Sequence, residues 1–131
     1  MTRVAKILCI IGCVVLLVTA VFHGTGYTAV SDAVSELSSS GLKAALPGMW
    51  LHFSIHLATL IAFGLLALFS THGTRSLVAL IALVVAADAT LVFYFIGFFA
   101  GVALLVAASL CFALAAFQPV VRRSAPRDKG A

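Results

Sequence analysis

The chain has 131 residues, of which 63% are hydrophobic and 9% charged, and its formal net charge is +4. Soluble domains average about 45–50% apolar and about 25% charged residues, so this composition excludes a water-soluble globule, and the length allows one domain. Four of the eight basic residues (Arg122, Arg123, Arg127 and Lys129) fall in the last ten positions, behind an apolar run; that placement fits a topology anchor beside anionic headgroups and sets nucleic acid aside as a partner.

The first apolar run follows Arg3 and Lys6 and reads as a span over about 4–22. A cleaved secretory signal would show the same charge pattern, with its site at 18–20, but the run is long for a signal core and is read as retained. Ala5, Cys9, Gly12, Leu16 and Thr19 recur at spacings of three and four in line with His23. All but Leu16 are small, so this stripe is expected to meet other helices closely. Cys9, Cys13 and Cys111 all lie in apolar runs and read as free thiols.

A polar segment over 24–47 follows. Ser31 or Asp32 is placed to cap a short interfacial helix carrying Val30, Val34 and Leu37, with 38–41 ending it. Pro47 and Gly48 are expected to open span two, over about 49–69, because a proline in the first helical turn gives up no hydrogen bond. Trp50 sits at the membrane edge. A polar turn over 70–76 leads into the stretch 77–117, whose one charge is Asp88. A span takes ~20 apolar residues to cross ~30 Å of hydrocarbon, so this stretch holds two. They are expected over about 77–96 and 101–117, broken by the glycines of 97–101, with Pro119 as the stop and a basic tail over 119–131.

The fold class predicted is thus all-α: a four-span antiparallel bundle with a short interfacial helix in its first loop. Seven of the eight basic residues fall on one side and only Lys43 on the other. The positive-inside rule then places both termini in the cytoplasm, in an inner (plasma) membrane.

That orientation gathers ionisable groups near the outer face. His23 ends span one, while His52 and His56 open span two one turn apart, with Thr59 one turn deeper. Asp88 lies ~12 Å below the outer boundary at 1.5 Å per residue. A carboxylate inside a span costs ~3 kcal/mol on insertion scales and needs a partner. Asp32 and Glu36 are placed to fold over the top.

Three chemistries compete for this set. His23, His52, His56, Asp88 and Glu36 are candidate ligands for a divalent metal. His23 with His52 or His56 is a candidate axial pair for haem b. Histidines beside Asp88 are also suited to relaying protons or holding a headgroup.

No HExxH, no phosphate-binding glycine loop and no Ser–His–Asp order is present, so no catalytic residue is assigned. The lone HxxxH lacks the multiple histidine boxes of membrane di-iron hydroxylases, and di-haem membrane cytochromes need histidines near both faces where this chain's inner face has only His72. The expected function is a small inner-membrane interaction or accessory subunit with an outer-leaflet His/Asp pocket. The alternatives are a metal- or haem-binding redox or metal-handling protein, and an oligomeric proton-coupled transporter. The expected partners are the lipid bilayer and either a larger membrane complex or further copies of the chain.

Overall fold

A computed structural model describes residues 1–118 as five helices: α1 (Arg3–Thr25), α2 (Tyr27–Ala33), α3 (Ser40–Phe69), α4 (Thr74–Ile96) and α5 (Ala100–Phe117). Four segments are long and apolar enough to cross a membrane: Arg3–Ala33, Ser40–Phe69, Thr74–Ile96 and Ala100–Phe117. Their outward faces are as apolar as their inward ones. Val4, Ile7, Ile11, Val14 and Val18 stand exposed along α1 opposite its buried stripe. Helices that are hydrophobic all round belong in lipid, and these features are those of a multi-pass membrane protein. The basic tail and the stop at Pro119 lie outside the described residues.

Local chemistry explains most of the boundaries. The Thr2 hydroxyl accepts from the Ala5 amide at 3.1 Å and caps α1. The α3–α4 turn contains Gly73 at φ 68°, and the α4–α5 turn Gly97 at φ 91°, both in the positive-φ region that glycine enters without a Cβ clash. The break expected within 97–101 is therefore a turn, with α4 ending at Ile96 and α5 opening at Ala100.

Two boundaries differ from expectation. The short helix of the first loop starts earlier, at Tyr27, with only Gly26 between it and α1; Ser31 and Asp32 lie inside it and cap nothing. The serines expected to end it instead begin α3. The Ser39 hydroxyl accepts from the Leu42 amide at 3.4 Å, so α3 starts two turns before Pro47 and carries that proline internally. Pro47 is buried and offers no N–H to the carbonyl of Lys43, so α3 gives up one helical hydrogen bond there.

α1 packs against α3 and α5, and α4 against α5 and, more sparsely, α3. Phe112 of α5 is fully buried at the centre of the core. Gly12 and Gly64 leave room for its ring: a Cβ on Gly12 would stand 2.9 Å from it, and one on Gly64 only 2.6 Å from the Cys13 sulfur. Every member of the small-residue stripe, from Ala5 to Thr19, is buried as expected. The thiol of Cys9 donates to the Gly64 carbonyl at 3.6 Å, and the Ser109 hydroxyl to that of Ala82 at 2.9 Å, tying α1 to α3 and α5 to α4.

Candidate functional site

The ionisable residues divide into separate groups at the end of the molecule that carries α2. His56 on α3 meets Asp88 on α4, with Nε2 3.0 Å from Oδ2. The pair bridges α4's sparser seam, that with α3, and its side chains are 34% and 16% exposed, so each keeps some access from outside the core. Asp88 thus has the partner that a carboxyl group within a span requires.

His23 lies in the last turn of α1 and is held from three directions by α3. Its Nδ1 is 3.1 Å from the Ser54 hydroxyl, and its ring lies on Trp50 with centroids 4.0 Å apart and planes 14° from parallel. The Trp50 indole N–H donates to the His23 carbonyl at 2.8 Å. Phe53 packs against both histidines, with ring centroids 4.9 Å from His23 and 6.2 Å from His56.

His52 and Glu36 join neither group; both are exposed. On a helix of 3.6 residues per turn, His52 is rotated about 40° from His56. His56 already stands at the edge of the buried face centred on Leu57, and the rotation carries His52 beyond it. Asp32 is also exposed, and His72 is at the opposite end, where its Nδ1 pairs with the Thr71 hydroxyl at 2.8 Å.

The candidate metal set His23, His52, His56, Asp88 and Glu36 is therefore not assembled. Among the described residues no three His, Cys, Asp or Glu side chains stand close enough together to hold a metal ion. Of the candidate haem ligands, His52 is exposed and apart from the other two, and Phe53 packs against both His23 and His56.

What the fold builds beside His23 is an apolar cavity of about 690 Å³, within the ~300–1,000 Å³ range of small-molecule sites. Its walls come from all five helices: Phe22 and His23, Val30 and Val34, Trp50 and Phe53, Val92 and Ile96, and Leu105. Sequence reasoning placed Trp50 only as a membrane-edge aromatic and passed over Phe53 and Ser54. The available signal was spacing: Trp50, Phe53, Ser54 and Leu57 share one face of α3 at three- and four-residue intervals.

No family model matches the chain, and no curated protein or solved structure matches it.

Proposed function

We propose that this protein is a four-span inner-membrane subunit that binds a lipid-class amphiphile in the cavity beside His23, acting by interaction rather than by catalysis. The observation that carries the reading is the cavity itself: an apolar space beside the half-buried His23–Trp50 stack, where the end of α1 and the end of α4 meet α3.

Pairings along the helices support an antiparallel bundle. Cys9 meets Gly64 while His23 meets Ser54, so α1 and α3 run oppositely. Gly12 against Phe112, with Thr19 and Gly101 sharing the cavity wall, does the same for α1 and α5. Among the described residues Arg3, Lys6 and Arg75 stand at the opposite end against Lys43 alone near this one, which favours cytoplasmic termini and an outer-leaflet cavity. An amphiphile entering there from the bilayer would leave a solvent of equal apolarity, so shape and the few polar contacts would decide its affinity.

The test is mass spectrometry of lipid extracted from the detergent-purified protein. Wild type should retain about one amphiphile per chain, and Val92→Phe, which fills the cavity wall, should lose it. A chain that carries no amphiphile above the detergent background would end this reading.

The His56–Asp88 pair favours a second reading, proton-coupled transport by an oligomer, because a partly accessible pair of titratable side chains inside a span is a feature of proton pathways. Proton-coupled flux in liposomes that disappears with Asp88→Asn would support it; flux indifferent to that substitution would not.

A further inference from the structure

The polar groups on the cavity wall narrow the chemistry of the occupant, an inference that rests on the amphiphile-binding reading above. Among the described residues that line the cavity there is no Lys, Arg, Asp or Glu. The neutral polar groups are largely committed. The Thr19 hydroxyl donates to the Val15 carbonyl at 2.8 Å, the Thr25 hydroxyl to the Phe22 carbonyl at 2.7 Å, and the Trp50 N–H to the His23 carbonyl at 2.8 Å.

His23 is different. Its Nδ1 is taken by Ser54, but its Nε2 has no hydrogen-bond partner among the described residues, and it is not a fully enclosed atom. If the Ser54 hydroxyl donates to Nδ1, then Nε2 carries the proton and donates; in the other tautomer Nε2 accepts. His23, which lines the cavity, therefore brings one uncommitted ring nitrogen to a largely apolar site, next to the flat face of an aromatic stack.

We infer that the cavity takes an uncharged amphiphile: a long acyl or isoprenoid chain ending in a carbonyl or hydroxyl head, which bonds to Nε2 of His23. A phosphate-bearing head is disfavoured, because burying an anion without a cationic partner costs several kcal/mol. The surroundings agree, since the outer loop offers Asp32 and Glu36 against the single cation Lys43.

Trp50 is the chain's only tryptophan and lines the cavity, so its fluorescence reports occupancy directly. Purified full-length protein in detergent micelles is titrated with a prenylated benzoquinone, brominated diacylglycerol, brominated phosphatidylglycerol and a headless brominated alkane. The two uncharged, head-bearing probes should quench Trp50 saturably and more tightly than phosphatidylglycerol. His23→Phe keeps an aromatic ring against Trp50 and removes the nitrogen; it should weaken those two probes about fivefold, as expected for one lost hydrogen bond. The alkane should quench wild type and His23→Phe alike, which shows that the cavity survives the substitution.

Tighter binding of phosphatidylglycerol, or unchanged affinity for the uncharged probes in His23→Phe, would overturn the assignment of the head group while leaving the cavity as an amphiphile site. Absence of saturable quenching by any probe would overturn both.

Discussion

His56 and Asp88 face each other at 3.0 Å across the α3–α4 seam, which is more sparsely packed than that between α4 and α5. The polar tie thus joins two helices that share comparatively few other contacts. Interhelical hydrogen bonds in membranes contribute about 0.6 kcal/mol on average and rarely exceed ~2 kcal/mol, because an unfolded chain in lipid also finds partners. A double-mutant cycle of His56→Ala and Asp88→Ala, read by unfolding in mixed micelles, should give a coupling of about 0.5–2 kcal/mol. Additive effects would mean that the contact contributes nothing to stability. Asp88→Asn keeps a hydrogen-bonding group at the position and should cost less than Asp88→Ala.

Two glycines make room for the central phenylalanine, and a third does not. Gly12→Ala and Gly64→Ala would place methyl groups 2.9 Å from the Phe112 ring and 2.6 Å from the Cys13 sulfur. Each should destabilise by about 1–3 kcal/mol through overpacking. Gly48 lies in α3 with nothing within 4 Å of its absent Cβ, so Gly48→Ala should be neutral or stabilise by up to about 1 kcal/mol. Thermal unfolding of the three variants in one detergent ranks them; equal midpoints would contradict this account of the core. Cys13→Ala should recover part of the loss in Gly64→Ala but none of that in Gly12→Ala.

The two turn glycines separate in the same kind of experiment. Gly73 has φ 68° and ψ 0°, a left-handed conformation that asparagine tolerates, whereas Gly97 has φ 91° and ψ −171°, a region essentially confined to glycine. Gly73→Asn should leave stability within about 0.5 kcal/mol, while Gly97→Asn should lose about 1–3 kcal/mol. A larger loss from Gly73→Asn than from Gly97→Asn would show that the turns are misassigned.

The long-range architecture was legible in the sequence because lipid imposes a simple rule: a run of about 20 apolar residues is a span. The stretch 77–117 is too long for one span and its glycines within 97–101 marked the break, and the stripe Ala5, Cys9, Gly12, Leu16 and Thr19 announced the buried face of α1. The loop over 24–47 was harder. Pro47 carries a strong local signal for a helix start, yet Ser39 supplies the cap and the helix passes through the proline, an outcome set by packing around residue 47 rather than by propensity. At the site, one-dimensional spacing brought His56 and Asp88 to similar depth, and the structure pairs them. Spacing alone does not resolve a helical rotation of about 40°, which is what leaves His52 outside. Nor does it show a cavity, because a cavity is made of what several helices leave unfilled.

The central claim is that four antiparallel spans set the cavity end of the molecule outside the cell and the opposite end in the cytoplasm. Single cysteines replacing Glu36 and His72, both exposed and at opposite ends, test it most directly. Wild type serves as the background, since Cys9 and Cys13 are buried and Cys111 lies within α5. A membrane-impermeant maleimide is applied to intact spheroplasts and to lysed ones. The account predicts labelling of Glu36→Cys in intact spheroplasts and of His72→Cys only after lysis; labelling of both from the same side, or in the reverse order, would contradict it.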